Sequence, residues 1–309
     1  MLPATDMSIP LTVTADSLDS KPDWLRIRPG RGSAFRDVTR TVHDFGLVTV
    51  CEEAHCPNLT ECWSGGTATF MVLGDTCTRG CRFCAVKTGR NGQPVDVLEP
   101  RKIAQAVKNW GLDYVVITSV DRDDLPDQGA NHFAECIRQL KAENPGLLVE
   151  VLTPDFRGNE NLVHTIVEAS PDVFAHNVET VRRLQKGVRD PRAGYEQSLS
   201  VLKAAKRLGA SYTKSSLMLG LGETESEVAQ TLDDLRAVGV DVVTFGQYLR
   251  PTRLHLPVKA YVTPKQFDAY RELAESKGFL YCASGPFVRS SYRAGEFFMK
   301  NMIQRRQRA

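Results

Sequence analysis

The alternation of apolar and polar positions changes rhythm at residue 67. Beyond it, short β-rich apolar runs alternate with longer amphipathic stretches, the pattern of βα units that build a parallel sheet. The apolar runs at 67–73, 114–118, 147–152, 172–176, 212–219 and 241–245 predict strands. Apolar residues at helical spacing predict helices at 102–110, 131–143, 160–169, 195–208, 225–238 and 264–276, and a last strand near 279–282. Polar or glycine-bearing turns follow the later strands, at 119–124, 153–155, 177–180, 220–224 and 246–252. In a (β/α) barrel the carboxyl ends of the strands form the active-site face. The expected fold is therefore α/β: a partial (β/α)6 TIM-type barrel at 67–283, open on one side. An N-terminal extension at 1–66 and a C-terminal extension at 284–309 are expected to cover that face. Within the first extension, 1–20 reads as irregular. Residues 21–50, with Arg26, Arg28 and Arg31 around Pro29, Gly30 and Gly32, read as an ordered arm or linker.

Charge and composition mainly exclude. The 309 residues carry 39 Lys and Arg against 37 Asp and Glu, a net charge of +2 that directs no strong field at nucleic acid or anionic membrane. No stretch approaches the roughly 18 apolar residues that a membrane span needs. The first twenty residues hold Asp6, Asp16 and Asp19 and no Lys or Arg, unlike a secretory signal or an Arg-rich transit peptide. A cytoplasmic location is expected. No Ser–His–Asp set or carboxylate pair stands out for hydrolysis, and the six histidines lie apart with no H-E-x-x-H. The basic tail with Arg305, Arg306 and Arg308 reads as a solvated helix end.

The cysteines change the picture. Six of the eight, Cys51, Cys56, Cys62, Cys77, Cys81 and Cys84, crowd into one window, leaving Cys136 and Cys282 as buried core residues. Without a secretion signal, metal ligation is a better reading than disulfides. The second triplet, Cys77-Thr-Arg-Gly-Cys81-Arg-Phe-Cys84, is spaced C-x3-C-x2-C directly after the first predicted strand. Three thiolates hold three corners of a 4Fe–4S cubane and leave the fourth iron open, as a catalytic metal requires. Counting ligands alone leaves zinc open, because Cys56 and Cys62 supply a second pair.

That spacing, on a loop leaving the first strand of a βα repeat, resembles the radical S-adenosylmethionine (SAM) superfamily. The resemblance implies that the open iron binds SAM, whose reductive cleavage gives a 5′-deoxyadenosyl radical. The first triplet, Cys51-Glu-Glu-Ala-His-Cys56-Pro-Asn-Leu-Thr-Glu-Cys62, is spaced C-x4-C-x5-C. The two triplets together are similar to the lipoyl synthases. So are Lys21-Pro-Asp-Trp-Leu-Arg26, His176-Asn-Val-Glu-Thr180, Gly220-Leu-Gly-Glu-Thr224, Gly246-Gln-Tyr-Leu249 and Arg289-Ser-Ser-Tyr292.

This resemblance implies two 4Fe–4S clusters and SAM. Cys77, Cys81 and Cys84 would hold the radical-generating cluster. Cys51, Cys56 and Cys62, with Ser291 as a labile fourth ligand, would hold an auxiliary cluster that donates sulfur and is dismantled. The implied reaction inserts two sulfur atoms at carbons 6 and 8 of an octanoyl chain. That chain is carried on a lysine of a lipoyl domain or the glycine-cleavage H protein. A flavodoxin- or ferredoxin-type electron donor and an iron–sulfur carrier for cluster repair would be partners.

Asn177, Gly220, Gly222, Gln247 and Tyr248 are candidate SAM contacts, since each follows or ends a predicted strand. Asp121-Arg-Asp-Asp124 reads as a solvated loop in preference to a contact for the SAM ammonium, and His55 as packing or hydrogen-bonding near the first triplet. Two alternatives stay open. One is another radical SAM sulfur-inserting enzyme, biotin-synthase-like or methylthio-transferring; the other is a non-catalytic zinc- or cluster-stabilised interaction module.

Overall fold

Three short helices come first: α1 (Ser33–Asp44), α2 (Val50–Glu53) and α3 (Leu59–Ser64). The computed structural model describes residues 21–26, 33–64, 69–291 and 303. Expectations for 1–20, Tyr292, Arg305, Arg306 and Arg308 lie outside these residues. The arm or linker expected at 21–50 is corrected by α1. Phe35, Val38 and Val42 make an apolar stripe at helical spacing that packs on Cys51 and Trp63.

The remaining order alternates as expected: β1 (Thr69–Val72), β2 (Thr76–Cys77), β3 (Lys87–Thr88), α4 (Glu99–Trp110), β4 (Tyr114–Ser119), α5 (Ala130–Glu143), β5 (Leu148–Leu152), α6 (Glu160–Glu168) and β6 (Val173–Ala175). Then come α7 (Gln185–Val188), α8 (Tyr195–Arg207), β7 (Tyr212–Leu219), α9 (Glu225–Ala237), β8 (Val242–Gln247), α10 (Pro264–Ser276) and β9 (Tyr281–Gly285). One sheet runs β1-β4-β5-β6-β7-β8-β9, every pair parallel. The last strand expected near 279–282 is β9, the seventh of this sheet. No pairing joins β9 back to β1 among the described residues, so the partial barrel is open.

Period-2 alternation divides the strands between two environments. Val115, Ile117, Val149, Val151 and Phe174 pack with helix residues such as Ile103, Phe133 and Ile137. The alternate positions, Tyr114, Val116, Leu148, Val173, Tyr212 and Val242, pack on one another and on Ile303 inside the barrel. Further along that inner face, Lys214 donates to Glu150 at 2.7 Å and Tyr114 donates to the same carboxylate at 2.6 Å. Filling the base with side chains leaves the carboxyl ends of the strands as the place for a cavity.

Candidate active site

β1 ends in a forced turn, with Leu73 and Gly74 both at positive φ. Glu99, at the start of α4, accepts the Leu73 backbone N–H at 2.9 Å and is held in turn by His132 at 2.7 Å. The loop that follows carries the second triplet. Its anchor is Arg79, whose side chain is 2% exposed and lies between Cys77 and Cys81. The guanidinium donates to Asp123 at 2.9 and 3.0 Å and to Asp155 at 2.8 Å, fastening the loop to the ends of β4 and β5. Burial pushes the Asp155 carboxyl up, but the Arg79 hydrogen bond and charge outweigh it and leave it at about 2. Backbone N–H groups point at the sulfurs: Arg79 N–H at Cys77 Sγ (3.4 Å) and Asp190 N–H at Cys81 Sγ (3.3 Å). Asp190 also accepts from Gly80 N–H at 2.8 Å.

The carboxylates after β4 are not a solvated loop, which corrects the sequence expectation. Asp121 lines the central cavity, with the Cys77 thiol 3.8 Å from its Oδ2. Burial pushes its carboxyl up to about 6 against the pull of Arg79. Asp123 is buried on Arg79, and Arg122 forms a bidentate pair with Asp124 at 2.9 and 3.0 Å. Arg79 was not singled out in the sequence, nor was its pairing with Asp123 and Asp155, because that pairing spans strand ends that only the fold brings together.

The first triplet sits on short elements stitched to the barrel. Thr49 bridges Phe70 of β1, and Met71 N–H donates to Val48 O at 2.8 Å. Cys51 is on α2, Cys56 in the turn after His55, and Cys62 on α3, around a satellite core of Val38, Val42 and Trp63. His55 is itself exposed, at φ 49°, beside the cavity. Asn58 Nδ2 donates to Phe287 O at 2.6 Å, tying this segment to the far end of the chain. That end crosses the barrel mouth over Gly246, where a Cβ would meet Val288 O at 2.0 Å. The half-buried Arg289 follows beside Cys56. Burial lowers its pKa, and the Cys56 sulfur opposes that shift.

One cavity of about 500 Å³ is lined by all six cluster-spaced cysteines together with Ser291, Asn177, Gln247 and Tyr248. Asn177 accepts from Ser290 Oγ at 3.0 Å and donates to Glu179 at 3.1 Å. Gln247 lines the cavity, but its side chain is taken up by backbone. Its Nε2 is within 3.1 Å of the Leu219, Tyr248 and Ala260 carbonyls, and its Oε1 accepts from Val262 N–H. Tyr248 donates to Leu256 O at 2.8 Å. Gly220 and Gly222 lie outside the lining; Gly220, at φ 98°, packs instead against Gln247 and Ala260. Arg189, also missed in the sequence, is buried in the cavity wall, its Nε without a hydrogen-bond partner among the described residues. Cys136 and Cys282 are buried in the core as expected.

The donor set fits iron–sulfur clusters. Burial pushes the Cys77 and Cys81 thiols up to about 12 and those of Cys84 and Cys51 to about 11, so thiolates there need a bound cation beside them. A single zinc with bonds of about 2.3 Å holds its sulfurs roughly 3.8 Å apart. Neither triplet gathers its three sulfurs within 4.8 Å; among the described residues only Glu99, His132 and Cys136 form so tight a group. A cubane, whose corner thiolates bind different irons, does not require so tight a group.

A family model described as the radical SAM superfamily matches residues 71–235. The chloroplastic lipoyl synthase of Ricinus communis is 59% identical over 292 residues, covering 93% of this chain and 80% of that protein. The lipoyl synthase of Halobacterium salinarum is 59% identical over 289 residues, covering 92% and 93%. Among solved structures, the FeFe-hydrogenase maturase HydG from Carboxydothermus hydrogenoformans matches with TM-score 0.55 at 12% identity, covering 86% of this chain and 78% of that one, a likeness of fold. No described helix is long and apolar enough to cross a membrane, and the relatives include chloroplastic, mitochondrial and archaeal proteins. From the identity and coverage of these relatives, the chain belongs to the lipoyl synthases of the radical SAM superfamily.

Proposed function

We propose that this chain inserts two sulfur atoms at carbons 6 and 8 of an octanoyl group carried on a lysine of a lipoyl domain or glycine-cleavage H protein. The observation that carries this reading is the single cavity lined by both cysteine triplets and Ser291 at the carboxyl ends of the strands. When bound, two 4Fe–4S clusters and SAM supply the electron, the hydrogen-abstracting group and the sulfur that side-chain acids and bases cannot provide.

The chain's own residues hold and position. Cys77, Cys81 and Cys84 bind one cluster; Cys51, Cys56 and Cys62 bind the other, with the hard Ser291 oxygen as its weak fourth corner. Arg79 fixes the loop of the second triplet by charge-assisted hydrogen bonds. Arg289 sets a half-buried positive charge beside Cys56, favouring thiolate there. Arg189 offers an unpartnered guanidinium Nε from the cavity wall, suited to a carboxylate such as that of SAM. Asn177 and Tyr248 complete the wall, Gln247 braces it, and Gly220 and Gly222 shape the turn behind it. Residues 67–283 act as the barrel, and 1–66 and 284–309 as its two coverings. The open side admits the octanoyl-lysine arm while its parent domain stays outside. A flavodoxin- or ferredoxin-type donor and an iron–sulfur carrier serve the enzyme.

Anaerobic preparation tests the metal content: about eight iron and eight sulfide per chain are expected for two cubanes, and zinc without sulfide overturns the reading. With ³⁴S in the auxiliary cluster and an octanoyl-lysine substrate, heavy lipoyl product is expected. Unlabelled product would defeat the sulfur-donor role.

A further inference from the structure

A second concavity, about 170 Å³, lies on the outside of the second-triplet loop and shares no lining residue with the central cavity. Leu184, Leu221, Leu256 and Pro257 make it apolar, and Arg183 and Lys259 stand at its rim. The Gly220-Leu-Gly-Glu segment builds one wall: Gly220 O accepts from Lys259 N–H at 2.8 Å, and Gly222 O accepts from Arg183 at 2.8 Å.

Both sides of this groove are hydrogen-bonded to Arg82, the residue after Cys81. Arg82 N–H donates to Val188 O at 2.9 Å, its guanidinium to Gly187 O at 3.1 Å, and Leu256 N–H donates to Arg82 O at 3.2 Å. The neighbouring His255 Nε2 lies 3.0 Å from Cys84 O. The groove floor is thus one hydrogen bond from the backbone that carries Cys81 and Cys84. The surroundings are cationic. Arg82, Lys186, Arg253 and Lys259 are exposed, and no carboxylate comes within ion-pair distance of them among the described residues. Arg183 is paired with Glu227 at 2.6 Å. Leu254, 97% exposed, projects from the same 253–257 loop.

We propose that this groove is the docking surface for a small acidic electron-transfer protein of the flavodoxin or ferredoxin kind. An apolar centre flanked by exposed cations, of which Arg183 is ion-paired, matches an acidic rim around a buried redox group, and charge complementarity sets encounter and register. One electron leaves the docked donor and arrives at the cluster held by Cys77, Cys81 and Cys84; no atom is exchanged. The octanoyl arm enters by the separate central cavity, so carrier and donor occupy different faces. The inference rests on the proposed function, whose cluster supplies the electron acceptor.

The test uses the holoenzyme with both clusters and a flavodoxin as probe. Lys186→Glu/Lys259→Glu reverses two exposed charges, and Lys203→Glu on α8 is the control. Binding of oxidised flavodoxin, measured by titration calorimetry, is expected to weaken about tenfold or more in the double variant at low salt and to converge with wild type at high salt. Reduction by flavodoxin hydroquinone slows in parallel, while dithionite-driven turnover and KM for octanoylated H protein are unchanged. Flavodoxin affinity equal to wild type, or a change confined to KM for the carrier, overturns the proposal. Absence of lipoyl product from wild type under dithionite would instead defeat the functional reading on which it rests.

Discussion

Ser290 donates a 3.0 Å hydrogen bond to Asn177, joining the C-terminal extension to the end of β6. The bond fixes the residue immediately before Ser291 against a rigid element. One such bond contributes about 1 kcal/mol. Asn177→Ala is therefore expected to quicken loss of the auxiliary cluster about fivefold. Iron release to a chelator, followed by Mössbauer or EPR spectra that separate the two clusters, checks this. Equal loss from both clusters would mean that the contact does not act on Ser291.

Arg79 is a buried cation with two buried carboxylates. Removing it in Arg79→Met leaves Asp123 and Asp155 uncompensated, a cost of about 3–5 kcal/mol. Thermal unfolding of the anaerobic protein should fall by many degrees. Arg79→Lys should restore little, since a point charge cannot make the forked contacts. A stable Arg79→Met protein with full iron content would defeat the anchoring role.

Gly246→Ala places a methyl 2.0 Å from Val288 O, in backbone that cannot give cheaply. The chain end must lift from the barrel mouth, carrying Arg289 and Ser291 with it. The expected product is a folded protein that keeps about four of eight irons and makes no lipoyl product. Circular dichroism beside iron analysis reads both; retention of all the iron would show that the crossing is not needed.

His176 is buried between Thr153 O (2.9 Å) and Ser198 Oγ (3.0 Å), and burial, helped by Arg189, lowers its pKa from 6.5 to about 4. The unfolded chain takes up the proton first. The contribution of the neutral ring is thus complete above pH 6.5 and is lost as pH falls towards about 4, at most about 3 kcal/mol. Asp121, raised by burial to about 6, acts in the opposite direction, so the measurement is a difference. Stability of His176→Gln relative to wild type should improve between pH 7 and pH 5; parallel curves would refute the assignment.

Cluster assembly supplies a final expectation. Burial raises Cys77 and Cys81 to about 12, so binding iron must expel protons. Reconstitution of the stripped protein should be faster at pH 9 than at pH 7, with proton release measurable in weak buffer. A pH-independent rate would mean that the thiolates are already present.

What the amino-acid order determined was local. Strand and helix positions along the barrel follow from apolar periodicity, which needs only neighbours a few residues apart, and the expected elements differ from the observed ones mainly at their ends. The cysteine triplets were legible for the same reason: each lies on one loop or on adjoining turns. α1 escaped because its stripe is only Phe35, Val38 and Val42, completed by Trp63 from a later helix. The tertiary structure alone decided which distant groups meet. It turned Asp121–Asp124 from an apparent solvated loop into the anchor of Arg79, set Gln247 to bracing backbone, and moved Gly220 out of the cavity lining. It also joined Asn58 to Phe287 and Ser290 to Asn177. Those pairings depend on strand register and on where the chain crosses the barrel mouth, and no local periodicity encodes either.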